Sequence, residues 1–144
     1  GVVDLGINDP ANMGAAMAPS AADTISSQIA NPSLGPDYYD KIITGDLGKL
    51  GSKLLLELMK EKGFDISKTY TDCGLEIYPV NDQDCGGSGC GCSAVVITAK
   101  YLDELKKKNL NRILYVATGA LLSPTATLQG ETIPGVAHGM TIEA

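Results

Sequence analysis

The chain has 144 residues, 44% of them hydrophobic and 19% charged, with a formal net charge of −6. That is enough apolar material for one ordinary domain with its own core, so a disordered acidic tail is excluded. Nucleic acid is excluded as the main partner, since phosphate binding needs a basic surface. The longest apolar run, Ala94 to Ala99, stops at Lys100 and falls far short of the roughly 20 residues that a membrane-spanning helix needs. The opening Gly1-Val2-Val3-Asp4 has neither an initiating Met nor the regions of a signal peptide. The expectation is a piece of a longer protein in which residues 1–144 form a single domain.

Val2 to Leu5 reads as the end of a strand, followed by the turn Gly6-Ile7-Asn8-Asp9-Pro10. From Ala11 to Ile29 helical spacing recurs at Met13, Met17, Ala18, Ala22, Ile25 and Ile29, with Pro19 predicting a break or two short helices. Pro32, Gly35 and Pro36 mark a connecting loop. Asp40 to Thr44 is a short strand, and Leu47, Leu50, Leu54, Leu55, Leu58 and Met59 then define the clearest helix, stopped by Gly63. Leu75 to Tyr78 is a weak third strand. The glycine-rich turn Gly86 to Cys92 leads into a helix over Ser93 to Lys108, with three lysines at its negative end.

Arg112 to Thr118 is a continuous apolar strand of the kind buried on both faces, and a loop with Pro124 and Pro134 leads to a final strand, Gly135 to Glu143. Such alternation predicts an α/β fold. It has helix, sheet and helix layers, a mainly parallel five-stranded sheet and an antiparallel last strand.

Four cysteines, Cys73, Cys85, Cys90 and Cys92, are expected to be reduced, because a chain with a real core needs no disulfide staples. The Cys85-x4-Cys90-x-Cys92 spacing matches none of the usual zinc patterns, and no metal site is expected. His138 shares one face of the last strand with Val136, Met140 and Ile142, which reads as a core histidine. Lys49 and Lys53 lie one turn apart on a solvated helix face or stand ready to neutralise a carboxylate.

The element order resembles one half of the thiolase and ketoacyl synthase superfamily, whose two halves pack as a pseudo-dimer. Thiolases carry a catalytic His in the pattern Gly-His-Pro-x-Gly-x-Ser-Gly. Gly87-Ser88-Gly89-Cys90-Gly91-Cys92-Ser93-Ala94 matches it with Ser88 in the His position and Gly87, Gly91 and Ser93 retained. In type III ketoacyl synthases a second His follows an apolar strand, and here Gly45 stands there, in Gly45-Asp46-Leu47-Gly48. The resemblance therefore implies a C-terminal half with no catalytic residues, since Ser and Gly cannot do acid–base work near neutral pH. It also implies that the N-terminal half of the same protein is the partner, and that apolar surface left bare without it favours dimers or self-association.

Within that superfamily several stretches resemble the stage V sporulation protein AD family. These are Asp4-Leu5-Gly6-Ile7, Met17-Ala18-Pro19, Ala22-Asp23-Thr24-Ile25, Thr44-Gly45-Asp46-Leu47, Asp72-Cys73-Gly74, Ala117-Thr118-Gly119-Ala120-Leu121-Leu122-Ser123-Pro124, and Ile133-Pro134 with Ala137-His138-Gly139. This resemblance implies a non-enzymatic protein that binds pyridine-2,6-dicarboxylic acid (dipicolinic acid). It would act peripherally at the spore inner membrane with the integral membrane proteins of the stage V sporulation A operon.

A planar aromatic dianion needs close backbone donors, positive dipole ends and a flat apolar wall. On those grounds the candidate ligand-binding residues are Gly45, Asp46, Gly87, Ser88, Cys90, Cys92 and Ser93. The glycines are equally explained by close passage of strand and helix. Asp46 either caps the following helix or holds calcium, the one ion expected to accompany dipicolinate; no other cofactor is expected. Two other functions remain open: an acyltransferase using a cysteine of the other half, and a scaffold for spore membrane proteins.

Overall fold

The computed structural model describes residues 1–78 and 89–144. Five strands form one mixed sheet: β1 (Val2–Val3), β2 (Lys41–Thr44), β3 (Tyr70–Asp72), β4 (Arg112–Ala120) and β5 (Gly135–Glu143). Their spatial order is β1-β5-β4-β2-β3. β2 runs parallel to β3 and β4, with Ile42 opposite Tyr70 and Leu114, while β5 runs antiparallel to both β4 and β1. The last strand is thus the single antiparallel member, as expected. The carboxyl ends of β2, β3 and β4 lie side by side and deliver Gly45-Asp46, Cys73-Gly74 and Thr118-Gly119-Ala120 to one edge of the sheet.

One face is covered by α1 (Met13–Ile29) and α2 (Gly48–Glu61). Its core joins Ala18, Ala21, Ala22, Ile25, Leu55 and Met59 of the helices to Ile42, Leu114, Val116 and Ala137 of the strands. The buried positions of α2, namely Gly48, Gly51, Ser52, Leu55 and Met59, follow the three- and four-residue spacing of an amphipathic helix.

The other face packs Ile43, Ile113 and Cys73 against Cys92, Val96, Ile97, Tyr101 and Leu105. These last come from one helical run made of α4 (Cys92–Val96), a π turn (Ile97–Tyr101) and α5 (Leu102–Lys106). Among the described residues no helix is long and apolar enough to cross a membrane.

The structure corrects several expectations. Pro19 does not break α1: Ala15, whose carbonyl loses its donor there, lies among small residues that leave room for the ring, and Ser20 Oγ bonds the Met17 carbonyl at 2.8 Å. The third strand is Tyr70–Asp72, and the expected strand at Leu75 to Tyr78 is instead a one-turn helix, α3 (Cys73–Ile77). Its Glu76 is bonded by Thr71 Oγ1 at 3.0 Å, Tyr101 Oη at 2.9 Å and the Lys100 ammonium, so tertiary partners override a weak local apolar signal.

The loop after β4 contains α6 (Pro124–Leu128), capped by Ser123, whose Oγ accepts from the Ala126 N–H at 3.0 Å. The first strand stops at Val3 instead of reaching Leu5. His138 is exposed, because the outer part of the β5 face carrying it lies beyond the cover of the α4–α5 run; Met140 beside it is 54% exposed.

Leu55 is fully buried between α2 and the sheet, whereas Leu128 is 89% exposed. Leu55→Ala is expected to lower the unfolding free energy by about 2–5 kcal/mol, and Leu128→Ala to stay within about 0.5 kcal/mol of wild type, both read from denaturant titration at unchanged m-value.

Candidate functional site

The sheet edge that carries the site is organised by one buried carboxylate. Asp72, the last residue of β3, accepts from Thr44 Oγ1 at 2.6 Å, from the Leu47 N–H at 2.9 Å and from the Gly48 N–H at 3.2 Å. The two amides belong to the open first turn of α2, where unpaired donors and the helix dipole favour an anion. The cap of α2 is therefore supplied by a neighbouring strand, and the expectation that Asp46 caps this helix is corrected. A hydroxyl chain continues the network, with Tyr70 Oη 2.8 Å from Thr44 Oγ1 and 2.9 Å from Ser52 Oγ. Burial raises the Asp72 pKa above its ordinary 3.8, with the hydrogen bonds pulling the other way and the charge of Asp46 adding to the rise.

Asp46 lines the neighbouring cleft. Its main-chain N–H donates to Thr118 Oγ1 at 3.3 Å, which ties the end of β2 to the end of β4. Gly45 is buried and has no room for a side chain, since a Cβ there would stand 2.8 Å from Thr118 Oγ1 and 3.1 Å from Thr118 N. Gly74 is constrained in the same way: a Cβ would collide with the Asp46 carboxylate and come within 3.0 Å of Asp72 Oδ2. Both glycines are thus accounted for by close packing.

A cleft of about 460 Å³ opens at this edge, lined by Met13 and Met17 of α1, Asp46, Gly89, Cys90, Thr118, Gly119 and Ala120. That size suits a small organic ligand, and methionines with a threonine hydroxyl and a carboxylate give mostly apolar walls with a few polar points. Of the residues singled out in the sequence, Asp46 and Cys90 line it. Gly45 lies behind the wall, and Cys92 is buried in the core with Sγ 3.9 Å from the Gly45 carbonyl oxygen. Ser93 accepts a hydrogen bond from Tyr115 Oη at 2.8 Å. Gly87 and Ser88 lie outside the described residues.

Sequence reasoning missed Met13, Met17, Thr118, Gly119 and Ala120 as site residues. The Ala117 to Leu122 stretch carried the family resemblance, and its place after a parallel strand was the available signal. Cys73 and Cys90 are free thiols. Burial, aided by the nearby Asp72, pushes the Cys73 thiol up to about 12, so it is an inert core group. Among the described residues no group of three or more His, Cys, Asp or Glu is arranged to hold a metal ion. Lys49 and Lys53 are both exposed on α2.

Asp72→Asn keeps the shape of the side chain but turns one acceptor into a donor against one of the two helix amides, and is expected to cost about 2–3 kcal/mol in unfolding free energy. Because the folded-state pKa is raised, native protein holds the Asp72 proton more readily than unfolded chain. The stability of wild type relative to Asp72→Asn should then be greatest below pH 3.8 and decline as pH rises through the folded pKa, as read from unfolding titrations across the acidic range.

The family described as Stage V sporulation protein AD (SpoVAD) matches residues 1–143. Stage V sporulation protein AD of Bacillus subtilis (strain 168) is 50% identical over 143 residues, covering 99% of this chain and 42% of the relative. The chain therefore spans less than half the length of the curated relative it matches. With its α/β sheet, its last strand antiparallel and a match running from end to end, this chain belongs to the stage V sporulation protein AD family.

Proposed function

We propose that this chain forms part of a non-catalytic binding site for dipicolinic acid, in a protein that takes part in loading dipicolinate into the developing spore. Membership of a sporulation family supports the sporulation role. The observation that carries the ligand reading is the cleft at the carboxyl ends of β2 and β4. Its Met13, Met17 and Ala120 offer apolar surface to an aromatic ring, and Thr118 adds a hydroxyl. The absence of catalysis is supported by the buried Gly45 in the place of one imidazole and by Ser88 in the place of another. His138, the sole histidine, is not among the described walls of the cleft.

Asp46 repels a dianion unless a cation stands between them. Asp46 lines the cleft, and in this reading its carboxylate is one hard oxygen ligand to a calcium ion carried by dipicolinate. The rest of its coordination comes from the carboxylates of the ligand and from water. The other half of the protein and the membrane proteins of the same operon complete the proposed assembly, placed peripherally at the spore inner membrane.

Titration calorimetry on the full-length protein tests the reading. Heat that saturates with dipicolinate and not with phthalate is the expected result, and no binding at millimolar ligand would sink it. Ser88→Ala should weaken binding by about 1 kcal/mol, the loss of one hydrogen bond.

A further inference from the structure

The ladder between β2 and β4 ends at Val116, and β4 runs on from Ala117 to Ala120 paired with β5. Leu114 and Val116 turn into the core shared with α1 and α2. Alternation along the strand turns Thr118 to that same face, at the height where the core gives way to the cleft. The pattern calls for another branched aliphatic there. Threonine has the shape of valine with a hydroxyl in place of one methyl, and a hydroxyl set against a core is costly unless its hydrogen-bonding capacity is met. Only half of that capacity is met within the protein. Thr118 Oγ1 accepts from the Asp46 N–H at 3.3 Å, and among the described residues this is the one hydrogen bond of its side chain. A hydroxyl also carries one donor, and that donor is left for the cleft. The oxygen keeps its place because residue 45 is glycine, whose Cβ would stand 2.8 Å from it. An amide that donates to a hydroxyl oxygen polarises the O–H and makes it the stronger donor.

We propose that Thr118 is a specificity-determining residue, whose hydroxyl, aimed by the Asp46 amide, donates a hydrogen bond to a carboxylate oxygen of the bound aromatic acid. The inference rests on the dipicolinate reading and deepens it, by naming the side chain that reads the ligand's charge. Thr118 and Asp46 line the same cleft, so a carboxylate held by the hydroxyl stands beside the acid proposed to meet calcium. One carboxylate oxygen then takes the hydroxyl and the other faces the cation. A ligand with a methyl group in that place leaves the hydroxyl unpaired against an apolar surface. Selection at this point is for an acceptor carried directly on the ring.

The test uses the full-length protein as wild type, Thr118→Val, Thr118→Ala and Thr118→Ser. By calorimetry, dipicolinate affinity is expected to fall about 10- to 100-fold in Thr118→Val and Thr118→Ala, the range for a hydrogen bond to a charged group, and to stay within about threefold of wild type in Thr118→Ser. Losing the hydroxyl also removes the acceptor of the Asp46 N–H, so a second measurement separates contact with the ligand from support of the wall. It is the infrared carboxylate band of isotope-labelled dipicolinate, recorded at ligand concentrations that saturate each protein. The band is expected to coincide in wild type and Thr118→Ser and to be displaced in Thr118→Val and Thr118→Ala. A band unmoved by loss of the hydroxyl would reduce Thr118 to a strap between β2 and β4 and overturn the proposal. Wild-type affinity in Thr118→Val overturns the role of Thr118 alone, whereas failure of wild type to bind dipicolinate overturns the functional reading and this inference with it.

Discussion

The geometry of the whole cleft edge depends on the capture of the α2 N-terminus by the Asp72 carboxylate. One buried group joins three elements, taking a hydroxyl from β2 and two amides from α2 while standing at the end of β3. A buried carboxylate is costly unless its oxygens are met, and here three donors and a helix dipole meet them. The turn between β2 and α2 is thereby fixed from inside the protein. The acid that caps the helix, Asp72, and the acid that lines the cleft, Asp46, are therefore different residues.

The two faces of the sheet are built differently. Toward α1 and α2 the core is made of small residues and branched aliphatics in close contact. Toward the α4–α5 run it is thinner, and a polar latch supplements it: Thr71, Lys100 and Tyr101 converge on Glu76. Burial pushes the Glu76 pKa up, but the three partners, Lys100 foremost, bring it below its ordinary value. Lys100 and Tyr101 both fall within the π turn, and that wider turn presents two consecutive residues to one carboxylate. Position and charge on α3, and with them the contact of Gly74 with Asp46, are set from this side.

Much of the fold was legible because its signals are periodic and long. The apolar spacing of α2, the continuous strand after Arg112 and the closing strand Gly135–Glu143 all stand where the pattern puts them. What was illegible is short or tertiary. β3 has only three residues and ends in a charge, and α3 is a single turn held by distant partners. Pro19 looked like a breaker because its local cost is plain and the room around it is not. The candidate site was half legible: Asp46 and Cys90 reach the cleft, while Met13, Met17 and Thr118 read as helix and strand filler until the fold brings them together.

The position of β5 between β4 and β1 also governs how the sheet comes together in time. β4 and β5 pair as neighbours along the chain, but among the described residues β1 joins the sheet through β5, with Val2 set opposite Val136. That pairing closes almost the entire chain into one loop, an entropic cost met only after the other contacts exist. During synthesis the first strand therefore waits for the last. Until then α1, whose contacts with β5 are extensive, has one side of its small-residue face uncovered. The interval before β5 emerges is the stage at which this chain is most exposed to mispairing and aggregation.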